Sequence, residues 1–215
     1  MDHKHYNNLP TLRGANAKFT DRDELFPKLA ELFAHKGYAG VYAFGLVHRH
    51  CSLRAGERMV TSVLVPQEKF ITQPEKTTAP DANVIPDRWT VNGEAFEFSR
   101  LEKDQQPTPP PPAELFKALA DIVGKESVVG VYLVPNLPPG KVHLDATLDP
   151  NRRTQTVRVV DIKELVTNSM CSGIEVSWVP STDSVVKSVS ACRICDEENN
   201  HPWLPFNPEF ESEDD

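Results

Sequence analysis

ELFPKLAELFAHKGYAGVYAF, residues 24–44, returns further along the chain as ELFKALADIVGKESVVGVYLV, residues 114–134, and the two align without a gap. Glu, Leu, Phe, Leu, Ala, Gly, Val and Tyr recur in register, and several other columns keep their apolar character. Each copy reads as an amphipathic helix feeding a buried strand, because apolar residues recur at helical spacing and then run together. A unit that appears twice predicts an internal duplication, with two similar halves, about 20–105 and 113–215, joined by the proline-rich segment 106–112 into a single domain over 1–215. The expected fold class is α+β, mainly antiparallel sheet with few helices. The shared unit, within residues 20–66 and 110–160, is expected to superimpose.

Working outward, the first helix is introduced by Thr20 or Asp21, carries acidic residues in its first turn and stops at Gly37. RMVTSVLVP reads as a second strand, turned at Gly56 and paired back against the first. RWTVNGEAFEFSR reads as a hairpin whose Asn-Gly supplies two positive φ angles. An irregular Pro/Thr-rich stretch separates the two. QPTPPPP can join neither helix nor sheet, and reads as a spacer or a surface strap. In the second half, KVHLDATLDPNRRTQTVRVVD gives two strands about an Asp-Pro-Asn turn, followed by a helical turn, IKELVTN, and a strand, GIEVSWVP.

The 215 residues carry a net charge of −8, densest in the final EFESEDD, which argues against nucleic acid as a partner because phosphate neutralisation needs a Lys/Arg-rich face. With no apolar run of signal-peptide or membrane-spanning length, a cytoplasmic protein without a membrane partner is expected. The four cysteines, Cys51, Cys171, Cys192 and Cys195, are too few and too unevenly placed for a disulfide framework.

FGLVHRHCSL, residues 44–53, ends an apolar strand with His48 and His50. Residues two apart on a strand share a face, so the two imidazoles are expected to point together. Continuing the gapless alignment sets Pro138 and Gly140 against them, so the repeated unit itself does not require histidines. Cys192-Arg193-Ile194-Cys195 supplies two thiolates on a tight knuckle, half of a tetrahedral set. The acidic residues that follow, Asp196, Glu197 and Glu198, disfavour a redox pair. His48, His50, Cys192 and Cys195 together form an N2S2 donor set suited to Zn2+, with His201 a rival for one place. His3 and His5 fall in a start read as disordered, His35 in the last turn of the first helix and His143 on a strand surface. Glu57, opening the second strand, is placed near the same end of the sheet as a general base, a further ligand or a solvated strand end.

GLVHRHCSLRAGERMV, with its His-Arg-His and its Gly-Glu before an apolar strand, resembles the signature of a group of fungal proteins of about this length that includes the cyclopenases of quinolone-alkaloid biosynthesis. Cys51 stands where an aromatic is expected in those relatives. The resemblance implies a zinc-dependent lyase of secondary metabolism that contracts a cyclopenin-type benzodiazepinedione epoxide, a small-molecule substrate, to a viridicatin-type quinolone with loss of methyl isocyanate. His48, His50, Cys192 and Cys195 would hold the ion, and Glu57 would act as acid/base. Two alternatives stand beside it. One is a closed structural zinc clasp in a non-catalytic binding or scaffold protein. The other is a bicupin-like binding protein, for which a third histidine is missing.

Overall fold

The computed structural model describes residues 1–66, 68–77, 81–149, 153–163, 174–182 and 185–192. Four helices, α1 (His3–Asn7), α2 (Leu12–Lys18), α3 (Arg22–Phe33) and α4 (Ala113–Val123), accompany ten strands. The strands are β1 (Tyr42–Leu46), β2 (Glu57–Val65), β3 (Lys69–Lys76), β4 (Val84–Trp89), β5 (Ala95–Arg100), β6 (Val129–Leu133), β7 (Lys141–Asp149), β8 (Thr154–Asp161), β9 (Ile174–Pro180) and β10 (Val186–Cys192). They close into a mixed barrel in the order β1-β6-β4-β5-β2-β3-β8-β7-β10-β9. The α+β class with few helices therefore holds. All pairings are antiparallel except β2 with β5 and β7 with β10. Among the described residues no helix is long and apolar enough to cross a membrane.

The barrel order has a regularity of its own. Exchanging each strand of the first five for the one five places later leaves the neighbours and the sense of every pairing unchanged. The register repeats as well: Pro86, Arg88 and Trp89 pair with Phe98, Glu97 and Ala95, and across the matching ladder Glu175, Ser177 and Trp178 pair with Ala191, Ser190 and Ser188, with a bulge at the same step. The gapless alignment fails at one place. Residues 34–41 connect α3 to β1, whereas the shorter 124–128 connects α4 to β6. The strands therefore correspond three residues away from where the helices alone would set them, and Gly45 matches Tyr132 through their partners Ser177 and Arg88. Counted on from the strand ends, His48 and His50 meet Pro135 and Leu137, which again are not histidines.

Five expectations are corrected. β2 does not fold back on β1, which lies between β6 and β9; β2 pairs with β3 and β5. The stretch read as irregular contains β3, whose Pro74 sits opposite Met59. The Asn-Gly connection takes five residues, 90–94, and among them only Gly93 has positive φ, so the turn is wider than a two-residue one. SVVKSVSAC, given no element in the sequence reading, contributes β10. The chain's start is ordered: Asp2 caps α1 by accepting from the Lys4 and His5 amides, and Tyr6 is buried.

The apolar core lies between the helices and one wall of the barrel. Phe26 packs on Phe19, Phe44 and Trp178 with ring centroids 5.2–5.8 Å apart, and Phe33 closes on Phe44. Because Phe44 faces the helices, strand alternation turns Gly45 inward. A Cβ on Gly45 would lie 2.8 Å from the Tyr132 ring, so glycine is what lets that ring lie inside the barrel. The segment 106–112 is exposed as far as Pro110, Pro111 is buried, and the Tyr42 hydroxyl donates to the carbonyls of Pro109 and Pro110, so it runs as a strap over the barrel wall.

Candidate functional site at the barrel mouth

β1 ends at Leu46, and the chain continues as an extended loop carrying His48, Arg49 and His50. The histidines are therefore beyond the strand rather than on it, but the alternation survives. Both imidazoles are buried, with ring centroids 4.8 Å apart, while Arg49 points the other way and donates to the carbonyls of Asn7 and Leu9.

Each ring is oriented by an oxygen. His48 Nδ1 lies 2.8 Å from the Leu46 carbonyl, which can only accept, so the proton sits on Nδ1 and Nε2 keeps its lone pair. That Nε2 is buried and has no hydrogen-bond partner among the described residues. His50 Nε2 lies 3.0 Å from Glu97 Oε1 and 3.3 Å from Arg88 Nη1. A guanidinium only donates and a carboxylate only accepts; the carboxylate is closer and ionised, so Nε2–H points at Glu97.

Glu97 comes from β5 and is 1% exposed. Burial alone would push its pKa up, but the Arg88 guanidinium at 2.8 Å and the neighbouring His50 overcome it, and the pKa lies at about 2. Burial likewise opposes the charge on Arg88, yet Glu97 raises its pKa. The guanidinium also lies 5.0 Å over the Tyr132 ring. The Tyr132 hydroxyl donates to the Leu46 carbonyl, and burial holds it protonated against the pull of Arg88. Tyr6, from α1, completes the cluster: its hydroxyl accepts from the His50 amide at 3.2 Å and donates to Glu97 Oε1 at 3.3 Å. The cluster thus combines a free imidazole nitrogen, an ionised carboxylate with a charge partner, and two neutral phenols.

Of the three expected site residues besides the histidine pair, the topology brings two, Cys192 and Glu57, to this end. β1 ends beside the start of β9, where Ile174 pairs with Cys192, so Cys192 closes β10 at the same rim. Its thiol is fully buried and accepts from Gln155 Nε2 at 3.5 Å. Glu57, the first residue of β2, also stands at this end, but across the barrel from β1. Arg153 Nη1 and Nη2 grip its carboxylate in a fork at 2.7 and 2.8 Å, the Arg54 amide adds a third bond, and its pKa falls to about 2 chiefly through Arg153. Cys195 and the rival His201 lie outside the described residues. Among those described, no group of three or more His, Cys, Asp or Glu side chains is arranged to hold a metal.

His143 departs from its expected surface position. It packs on Phe70 with centroids 4.9 Å apart, its Nε2 is buried without a hydrogen bond among the described residues, and burial lowers its pKa to about 4. Glu97, Arg88, Tyr6 and Tyr132 were not singled out from the sequence. Alternation in EAFEFSR gives the apolar face to Phe96 and Phe98 and sets Glu97 with Ala95 and Ser99 on the opposite face, which reads as solvent-facing, so no local signal marked it. A cleft of about 390 Å3 between the start of α3 and residues 123–128 is lined by Phe19, Leu25 and Val128 and does not touch this cluster.

Comparison with known proteins found no matching family, no similar curated protein and no similar solved structure.

Proposed function

We propose that the His48–His50–Glu97 cluster is the reaction centre of a zinc-dependent lyase acting on a small carbonyl compound. The sequence resemblance points to ring contraction of a cyclopenin-type benzodiazepinedione to a viridicatin-type quinolone, with loss of methyl isocyanate, in fungal secondary metabolism and in the cytoplasm. The observation that carries this reading is the buried Nε2 lone pair of His48, whose ring is held at Nδ1 by the Leu46 carbonyl and packs against His50. That is the outer-shell arrangement that fixes imidazoles for a cation. Zn2+ suits this donor set, with His48 and His50 supplying nitrogen and Cys192 and Cys195 sulfur. Zinc bound here would supply a Lewis acid that polarises a carbonyl and holds the resulting oxyanion.

The chain's own groups do the rest. Glu97 fixes the tautomer of His50, and Arg88 keeps Glu97 ionised. A ligand that drew the guanidinium away would leave burial dominant, raise the carboxylate pKa and make Glu97 a usable base. Acid–base work therefore falls to Glu97, in contact with the pair, rather than to Glu57, which Arg153 occupies.

A structural clasp is the second reading, favoured by the buried Cys192 on the same rim: an ion held by all four ligands would tie the β1 loop to β10. One set of measurements separates the two. Metal analysis of the purified protein should find about one zinc per chain, lost in the His48→Ala/His50→Ala protein. The zinc-loaded protein, offered a cyclopenin-type epoxide, should release the quinolone and methylamine. Zinc without turnover favours the clasp; full zinc in the double variant rejects the assignment.

We further propose that the repeated pairings reflect duplication of one helix-strand unit, after which only one half acquired the site. In its support, Arg88 and Glu97 correspond by register to Ser177 and Ser190, which hydrogen-bond to each other at 2.5 Å.

A further inference from the structure

The centre is closed. His48, His50 and Glu97 are at most 2% exposed, so a ligand can reach them only after some segment moves. Residues 1–10 are the segment whose side chain sits in the cluster, through Tyr6. Tyr6 is the one fully buried residue among those ten. Met1 and Leu9 pack half-buried against the core, and the rest is held by polar bonds: Asn7 and Leu53 exchange two, at 2.9 and 2.7 Å, Arg49 donates to the Asn7 and Leu9 carbonyls, and the Met1 ammonium donates to the Ala95 carbonyl. A five-residue helix adds little stability of its own. One fully buried aromatic anchor, two smaller apolar contacts from Met1 and Leu9 and a set of water-exchangeable bonds describe a piece that opens at lower cost than the ten-stranded barrel beneath it.

What Tyr6 leaves behind when it swings out is chemically specific. Its hydroxyl occupies a point between a donor, the His50 amide, and an ionised acceptor, Glu97 Oε1. Only a group that both accepts and donates satisfies the two. A carbonyl would leave the carboxylate unanswered, an ammonium would leave the amide unanswered, and a second anion would be repelled. A neutral hydroxyl fits, and the depth of the ring's burial calls for a planar, apolar body behind it.

We propose that residues 1–10 are the gate of this centre and that the space filled by Tyr6 is a subsite for a neutral aromatic hydroxyl, a phenol or ring enol, for which Tyr6 is the built-in stand-in. The inference takes the reading of the cluster as a reaction centre as its premise, and adds the ligand group and the way in.

The test uses full-length protein with 4-methylphenol and its hydroxyl-free counterpart toluene, binding being read by calorimetry and by the shift in thermal midpoint. Tyr6→Ala should bind 4-methylphenol at least about tenfold more tightly than toluene, as hydrogen bonding to a charged acceptor requires, and Tyr6→Ala/Glu97→Gln should lose that preference. Equal affinity for the two probes, a preference that survives loss of Glu97, or no saturable binding of either overturns the subsite. Asn7→Ala loosens the latch without entering the cluster, and should raise the affinity for 4-methylphenol severalfold over the parent by increasing the open fraction. This variant also decides the matter if Tyr6→Ala does not fold, because no gain in affinity overturns the gate. Zinc analysis of the same samples keeps the two readings apart: zinc present with no phenol preference sinks the subsite alone, and phenol preference without zinc sinks the metal centre alone.

Discussion

Glu97 and Glu57 are both held ionised, but by unlike surroundings, and substitution should tell them apart. Glu97 neutralises a guanidinium inside the barrel; Glu97→Gln leaves Arg88 without its anion and should cost about 3 kcal/mol, read as a lower urea midpoint. Glu57→Gln breaks a fork at the rim, where water can reach Arg153, and should cost clearly less. An equal loss in the two variants would contradict the description of the cluster. Their pH dependence has a definite sign. Both folded pKa values lie at about 2, below the ordinary 4.5, so the stability they confer is complete above that ordinary value and is lost as pH falls toward about 2. His143 acts earlier. Its folded pKa of about 4 lies below the ordinary 6.5, so its contribution is complete above 6.5 and declines between there and about 4. Acid titration of stability should thus show an upper limb that His143→Leu flattens and a lower limb that it leaves in place. A His143→Leu profile that overlays the parent's between pH 7 and 4 would remove His143 from this account.

At the level of the element, Gly130 in β6 shows how closely neighbouring strands meet. A Cβ there would fall on the carbonyl oxygen of Trp89 in β4, a backbone atom that cannot rotate aside. Gly130→Ala should cost about 3 kcal/mol or more and loosen the β4–β6 pairing that sets Arg88 beside Tyr132, visible as faster amide exchange in both strands. Unchanged exchange would show that the two strands can shift without penalty. How much was legible in the sequence also varies by element. The α3–β1 and α4–β6 units, the β7–β8 pair and β9 announce themselves by local periodicity, and the His48/His50 pair by its spacing. β3 and β10 do not, because Pro74 and the serines of β10 dilute the apolar alternation and both strands owe their place to partners far away in sequence. The partners of the histidines were hidden for the same reason. Glu97 and Arg88 meet His50 only once the barrel has closed, and Tyr6 lies in a stretch so polar that only its tertiary contacts give it order.

For the whole molecule, the decisive fact is that both neighbours of β1, β6 and β9, belong to the second half, while β6 lies between β1 and β4 of the first. Neither half can satisfy the backbone of its own first strand. Residues 1–105 or 113–215 expressed alone should therefore lack fixed tertiary structure, measured by near-ultraviolet circular dichroism, whereas the intact chain should unfold in one cooperative step. A half that folds alone with native-like aromatic signals would contradict this interlocking. The prolines at 106–112, lying under the Tyr42 hydroxyl, then acquire a kinetic meaning. A stiff extended segment of that size reaches about 20 Å and holds the second half beside the first at millimolar effective concentration or above. A single cut in the strap would leave a folded barrel closed along its β1–β6, β4–β6, β1–β9 and β3–β8 seams, yet its refolding would change from a first-order to a second-order reaction, slowing in proportion as the protein is diluted.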